Sequence, residues 1–148
     1  HLVTDAFSRM IIGYVLAPTL EAKYTIEALQ QAISHAGSGN LCGTIHHSDR
    51  GVQYCCDEYI TLLKEHHIRI SMTEDSNPTD NGMAERVNGI IKNEFLEPLQ
   101  TPKNLLEALP LVDHAVRTYN TLRPHLNLNM RTPAQVYKEN NNFQKLKV

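Results

Sequence analysis

The chain has 148 residues, of which 41% are hydrophobic, and this length allows a single core that buries about 70% of the unfolded surface. A net charge of −2 excludes a strongly basic nucleic-acid-binding domain. No apolar run approaches the ~20 residues of a membrane span. Three cysteines, two of them adjacent, exclude a disulfide framework, so we expect a protein of the reducing cytoplasm that does not contact membranes.

The first 16 residues predict a β-hairpin. Two β-prone runs, at 2–4 and 10–16, flank the turn sequence Asp-Ala-Phe-Ser-Arg at 5–9. A helix follows, with Thr19 as its N-cap and Gly37 as its C-terminal stop. Its apolar residues recur at helical spacing, which predicts one face packed on a sheet.

Strand and helix patterns alternate in the next segment. Short strands are predicted at 41–46 and 68–71, with a helix at about 56–66 between them, and this order implies parallel strands. Residues 72–80 form a polar loop that Pro78 keeps from being helical, and this loop is a candidate for becoming ordered only when a ligand binds.

The predicted helix at 81–97 has two unlike faces. Glu85, Asn88, Gly89 and Lys92 share one stripe, and apolar side chains from Met83 to Ile91 form the opposite stripe. Glu94 falls near the apolar stripe, which helical periodicity does not explain.

Two further helices are predicted from their N-terminal signals. Thr101-Pro102 opens a helix that runs to about Thr121. Thr132 and Gln135 form a capping box that opens the last helix. We assign residues 1–137 to one core and residues 138–148 to a polar tail.

Asp49 and Glu85 are the candidate metal ligands. Asp49 ends an apolar strand-like run, and Glu85 lies early in a helix 36 positions later. Carboxylates from two elements suit Mg²⁺ or Mn²⁺. Taken singly, Asp49 also suits a turn and Glu85 a first helical turn. Adjacent histidine pairs without Cys-x-x-Cys spacing argue against zinc.

Three sequence motifs occur in order along the chain: His-Ser-Asp-Arg-Gly-Val-Gln-Tyr (47–54), the run from Asp80 to Glu94, and Tyr-Asn-Thr-Leu-Arg-Pro-His (119–125). They resemble those of the integrase-core transposases of bacterial insertion sequences, relatives of retroviral integrases. The resemblance extends from the turn at 5–9 to the Thr-Pro-Ala-Gln-Val-Tyr run at 132–137, nearly the whole chain.

This resemblance implies an α/β fold of the ribonuclease H type, a mixed sheet with helices on both faces. It also implies a catalytic Asp, Asp, Glu triad, in which Asp49 and Glu85 match the second and third acids and bind a two-metal site of Mg²⁺ or Mn²⁺. The first acid and its strand would precede His1, so we expect this fragment alone to be inactive. Asp5 is expected to set the hairpin turn.

The implied partner is DNA, both transposon ends and target. The candidate DNA-binding residues are Lys92, Asn88, Arg86, Asn81 and Arg123. Residues 1–76 carry five basic and nine acidic side chains, whereas residues 77–148 carry nine and seven. Because the chain is not basic as a whole, we expect strong DNA binding to need another domain or a second subunit, and a homo-oligomer in the bacterial cytoplasm.

The sequence therefore predicts the catalytic core of a DNA transposase or integrase, which cleaves phosphodiesters and transfers DNA strands. Two alternatives stay open. A ribonuclease H-type nuclease would share the fold and metal ligands without joining strands. A DNA-binding or assembly module would be catalytically inactive.

Overall fold

The computed structural model describes residues 1–37, 41–73, 82–97 and 102–145, with side chains through residue 140. The elements in chain order are β1 (Leu2–Thr4), β2 (Ile11–Tyr14), α1 (Ala22–Ala36), β3 (Ile45–Ser48), α2 (Val52–Cys55), α3 (Asp57–Glu65), β4 (Arg69–Met72), α4 (Gly82–Ile90), a π-helix (Ile91–Leu96), α5 (Leu105–Thr121), a 3-10 helix (Leu126–Leu128) and α6 (Pro133–Lys145). The chain forms two compact units: residues 1–3 with 12–86, and residues 4–11 with 87–148.

The predicted N-terminal hairpin is confirmed. Strands β1 and β2 pair with each other, and beyond their ends His1 and Val15 exchange backbone hydrogen bonds of 2.9 and 3.0 Å, as antiparallel strands do. Helix α1 approaches β2 so closely that a Cβ on Gly13 would lie 2.1 Å from the carbonyl oxygen of Ala28. Only glycine fits here, and it brings the helix onto the strand.

Helix α1 begins later than the sequence predicts. Its N-cap is Glu21, and the hydroxyl of Thr19 donates to the Glu21 carboxylate at 2.8 Å rather than capping a backbone amide. Its end is as predicted, because Gly37 takes a positive φ of 79° and donates its N–H to the carbonyl of Ile33.

Strands β3 and β4 are parallel, as predicted, with Ile45 opposite Arg69 and Ser48 opposite Met72. β3 starts later than expected, because a turn at Gly43, whose φ is +80°, precedes it. Within the described residues the four strands form two separate two-stranded sheets.

The predicted helix at about 56–66 is confirmed as α3, and a short helix that the sequence analysis did not predict, α2, precedes it. Cys56 is extended, with ψ at 148°, and separates α2 from α3. Both helices pack against α1. The core of this unit consists of the buried side chains of Leu29, Ile33, Tyr59, Leu63 and Ile68.

In the other unit, α5 packs against the π-helix and α6. Its N-cap is Asn104, whose side chain accepts from the amide of Glu107 at 3.0 Å, while the Glu107 carboxylate accepts from the amide of Lys103. This reciprocal cap starts the helix at Leu105 rather than at the predicted Thr101-Pro102. The residue Thr101 itself lies outside the described part of the chain.

The capping box of α6 is confirmed. The Thr132 amide donates to the Gln135 side chain at 2.9 Å, and the Gln135 amide donates to the Thr132 hydroxyl at 3.4 Å. The helix continues to Lys145, so most of the segment assigned to a polar tail is helical.

Residues 74–81, which include most of the predicted polar loop and Asn81, are outside the described residues. Of the helices in the described ranges, none has the length and apolar character needed to cross a membrane.

Candidate active site

Asp49 lies where the sequence predicts it, immediately after β3, with an exposed side chain. Its Oδ1 accepts a hydrogen bond from the Gly51 amide at 2.8 Å. A Cβ on Gly51 would lie 2.9 Å from the same oxygen, so glycine permits the close approach that orients the carboxylate. One carboxylate oxygen of Asp49 is therefore oriented by a backbone amide at the C-terminal end of β3.

An aromatic cluster supports the strand that carries Asp49. The Tyr59 hydroxyl lies 2.9 Å from Nε2 of His46, and the two rings meet edge to face with centroids 5.5 Å apart. Tyr54 meets Tyr59 in the same manner at 5.6 Å. Burial lowers the pKa of His46 to about 4, so this imidazole is neutral at physiological pH.

Two buried polar atoms on β3, Nδ1 of His46 and Oγ of Ser48, have no hydrogen-bond partner among the described residues. Sequence reasoning considered His46 only as a zinc ligand. Its alternation with His47 is the signal that could have shown His46 to be partly buried and His47 exposed.

Glu85 lies in the first turn of α4 and is exposed, as are Arg86 and Asn88. The apolar face is confirmed: Val87 is 3% exposed and Ile91 is 6% exposed. Among the described residues, and apart from its chain neighbours and the backbone of its own helix, no atom lies within 4 Å of a Cβ placed on Gly89, which fits the prediction of open space on this face.

The predicted helix at 81–97 changes character at Ile91, where a π-helix begins. Lys92 is therefore the second residue of a wider turn, and its carbonyl accepts from the amide of Glu97 at 2.8 Å. The Lys92 ammonium is exposed and lies 3.8 Å from a carboxylate oxygen of Glu97. Its side chain is accessible to a ligand.

Arg123, predicted to bind DNA, is held by an acidic side chain. Its Nε and Nη2 donate to the two carboxylate oxygens of Glu94 at 2.6 and 2.7 Å. The Arg123 hydrogen bonds hold the pKa of Glu94 below its usual range, and Glu94 raises that of Arg123. The sequence analysis left Glu94 unexplained, and this ion pair is its role in the structure.

Tyr119, Asn120 and His125 belong to the third sequence motif and serve the fold. The Asn120 carboxamide accepts from the Ile11 amide and donates to the Ile11 carbonyl, each at 2.9 Å. The Tyr119 hydroxyl donates to the carbonyl of Arg9 at 3.0 Å, and its ring packs edge to face on His125. Burial raises the pKa of Tyr119 to about 12.

Within the part of the chain that the structure describes, no three His, Cys, Asp or Glu side chains come together in a group that could hold a metal ion. The separation of the Asp49 and Glu85 carboxylates, expected at ~5–8 Å for a shared two-metal site, stays a prediction. The donor chemistry fits the expected metal, because both side chains are exposed carboxylates that offer the oxygen ligands Mg²⁺ prefers.

Two family models, both described as an integrase core domain, match residues 1–78 and 66–133. The chain is 36% identical over 99 residues to a transposase for insertion sequence element IS986/IS6110 of Mycobacterium tuberculosis, described as putative, covering 65% of this chain and 36% of that protein. It is 31% identical to the transposase for IS629 of Shigella sonnei, covering 92% of this chain and 45% of the relative. The chain thus spans less than half the length of these curated relatives.

Solved structures confirm the expected fold. The HTLV-2 integrase catalytic core domain in complex with magnesium, in a trimeric form, superposes with a TM-score of 0.68 at 28% identity, covering 90% of this chain and 80% of that one. The catalytic core domain of BIV integrase gives a TM-score of 0.70 at 20% identity, covering 97% and 88%. The chain has the ribonuclease H-like fold of retroviral integrase catalytic cores.

Proposed function

Because the chain belongs to the integrase core domain family, we propose that it is the catalytic core of an insertion-sequence transposase. The observation that carries the proposal is the position of Asp49: exposed, at the end of β3, with one oxygen oriented by the Gly51 amide. Glu85 supplies the second carboxylate from the first turn of α4. Strand ends and helix starts of this kind are rigid supports for functional groups.

The reaction is phosphodiester cleavage followed by strand transfer. In cleavage, an oxygen of water forms a bond to phosphorus as the P–O bond to the leaving DNA strand breaks. In strand transfer, a 3′-hydroxyl of DNA takes the place of water, so one phosphodiester replaces another.

Asp49 and Glu85 would hold the metal, Mg²⁺ or Mn²⁺, in a two-metal site. When bound, the ions supply charge stabilisation to the attacking and leaving oxygens. Lys92 and Arg86 would bind backbone phosphates, and Asn88, on the same helix as Glu85, would donate hydrogen bonds to the strand. Asn81 and Arg123 complete the proposed DNA contacts, although the guanidinium of Arg123 is already paired with Glu94.

We also propose a homo-oligomer on DNA in the bacterial cytoplasm. One apolar stripe of α5 runs from Leu105 through Leu109 to Val116 and Tyr119. Val116 and Tyr119 are buried, whereas Leu105 and Leu109 are 41% and 38% exposed. The exposed end of this apolar stripe could pack against a second copy of the chain.

The deciding experiment incubates the natural full-length polypeptide that contains these residues with labelled DNA ends and Mg²⁺ or Mn²⁺. Cleavage and joined products support the proposal. Cleavage without joining indicates a nuclease, and DNA binding without either reaction indicates an inactive module. Titration calorimetry with Mn²⁺ on wild type and Asp49→Asn tests the metal site separately from turnover.

A further inference from the structure

The ion pair between Glu94 and Arg123 joins the π-helix to the residues that follow α5. It is bidentate, with both carboxylate oxygens engaged, and its side chains are 47% and 25% exposed. Two parallel N–H···O bonds between planar groups fix their relative orientation far better than a single contact does. The pair therefore constrains geometry, even though a partly exposed ion pair adds little to stability.

The π-helix explains why Glu94 can reach Arg123. In an uninterrupted α-helix, Glu94 would lie seven residues after Val87 and three after Ile91, on the buried face. Val87 and Ile91 are indeed buried, but the turn widens from Ile91, and Glu94 emerges half-exposed. π-turns are uncommon and are found frequently at functional sites.

Lys92 is part of the same widened turn. Its carbonyl accepts the bond from Glu97 that is characteristic of a π-helix, and its ammonium is free to move because the contact to Glu97 is long and exposed. Glu94 is two residues further along this turn. Fixing Glu94 thus fixes the backbone from which the Lys92 side chain projects.

We propose that Glu94 and Arg123 are positioning residues for Lys92. Their bidentate pair fixes the backbone of the π-helix, so that the Lys92 ammonium contacts a DNA phosphate. The inference rests on the proposed function, adds Glu94 to it, and replaces the direct DNA contact proposed above for Arg123. Arg123 then acts on DNA through Glu94 and Lys92 rather than by touching a phosphate.

The positioning role and net charge alone predict opposite effects of Glu94→Gln on DNA affinity. Removing the negative charge of Glu94 would strengthen DNA binding if only net charge mattered, because phosphates repel carboxylates. It would also release Arg123 to bind phosphate. If the pair positions Lys92, Glu94→Gln weakens binding instead.

The test measures Kd for a short DNA duplex at several salt concentrations, using the natural full-length polypeptide that contains these residues and five variants of it. The variants are the exchanged pair Glu94→Arg with Arg123→Glu, Glu94→Gln, Lys92→Ala, the double variant of the last two changes, and Glu139→Gln. The last is the matched control, because Glu139 forms an ion pair with Arg131 in the same unit but belongs to α6 rather than to the π-helix. We expect Glu94→Gln to weaken binding by roughly three- to tenfold, and Glu139→Gln to leave it unchanged.

The double-variant cycle supplies the readout that a merely structural role would not give. Lys92→Ala should lower the slope of log K against log salt by about 1, and Glu94→Gln should lower it in the same direction. In the Lys92→Ala background, Glu94→Gln should weaken binding no further. Exchanging the partners, Glu94→Arg with Arg123→Glu, should recover part of the lost affinity.

Equal loss of affinity in both backgrounds, or tighter binding by Glu94→Gln, would overturn the positioning role while leaving the proposed function intact. A natural full-length wild-type polypeptide that binds no DNA would refute the proposed function, and the inference with it. Urea unfolding of each variant separates these results from misfolding, and the exchanged pair provides a second route if Glu94→Gln does not fold.

Discussion

One carboxylate oxygen of Asp5, Oδ2, accepts hydrogen bonds from both the amide and the hydroxyl of Ser8, at 2.7 and 2.5 Å. Ser8 is fully buried, and its hydroxyl oxygen in turn accepts from the amide of Met10. Asp5 thus closes the hairpin turn, as its sequence context indicates. Its carboxylate already has a structural role.

The first prediction is that Asp5 is not a catalytic acid. Asp5→Asn retains an oxygen that accepts from the Ser8 amide, but it loses charge-assisted strength, so we expect a loss of about 1 kcal/mol in the free energy of unfolding. DNA cleavage by the natural full-length polypeptide should persist. Loss of cleavage in a variant that circular dichroism shows to be folded under the assay conditions would contradict this assignment.

The second prediction concerns the metal ligands. Asp49→Asn or Glu85→Gln should abolish cleavage in the full-length polypeptide, because each removes a charged ligand while preserving side-chain shape. Glu58→Gln is the control, an exposed carboxylate in the first turn of α3. Cleavage of labelled DNA ends is the measurement, and wild-type activity in either variant would remove the proposed site.

A third prediction tests Asn120. Asn120→Ala leaves the amide and carbonyl of Ile11 without their side-chain partners in a buried environment, which should cost about 2–4 kcal/mol of unfolding free energy. Asn127→Ala, at an exposed position in the 3-10 helix, should change stability by less than ~0.5 kcal/mol. Urea denaturation monitored by circular dichroism compares the two, and similar midpoints would refute the structural role.

Two glycines should respond to alanine in opposite directions. Gly13→Ala places a Cβ 2.1 Å from the Ala28 carbonyl oxygen, and because that atom belongs to helix backbone, we expect a loss of several kcal/mol, at least ~3. Gly89 is an interior residue of α4, and a Cβ added there would have space around it. Gly89→Ala should therefore stabilise the chain by up to about 1 kcal/mol. The thermal midpoints of the two variants are the check. A tolerated Gly13→Ala would mean that α1 does not lie this close to β2.

The buried imidazole of His46 predicts a pH dependence of stability. Burial lowers its folded pKa to about 4, whereas the unfolded chain has its ordinary value of about 6.5. The unfolded state therefore binds more protons between these values. Stability should be fully present above pH ~6.5 and fall by roughly 3 kcal/mol as pH decreases to about 4.

The measurement is the urea midpoint across pH 4–8 for wild type and two variants. His46→Gln should flatten this dependence. His47→Gln should not, because His47 is the exposed neighbour on the same strand, bonded to the Ser71 hydroxyl. An unchanged slope in His46→Gln would show that other groups cause the loss.

The sequence predicted those features that depend on local pattern. The hairpin, the strand-end position of Asp49 and the capping box of Thr132 follow from neighbours a few residues apart, and the parallel strands follow from the order of strand, helix and strand. It failed where a distant partner or a local competitor decides the outcome. The Thr19 hydroxyl forms a hydrogen bond with the Glu21 side chain instead of capping the helix. Glu94 forms an ion pair with Arg123, which lies 29 residues later in the chain.

The π-helix was equally out of reach, because an α-helical wheel assumes a constant turn. In the sequence analysis, the one sign of the π-helix was the position of Glu94 near the apolar stripe. The expected spacing of Asp49 and Glu85, by contrast, rests on family motifs rather than on periodicity, and it stays a prediction.

The pairing of Asn120 with Ile11 also has a consequence for folding during synthesis. These residues are separated by 109 positions. At ~5–20 residues per second, a ribosome needs on the order of 5–20 s to extend the chain from one to the other. Throughout that interval the edge of β2 at Ile11 lacks its final partner, so the newly made hairpin depends on water, or on a chaperone, until α5 has been synthesised.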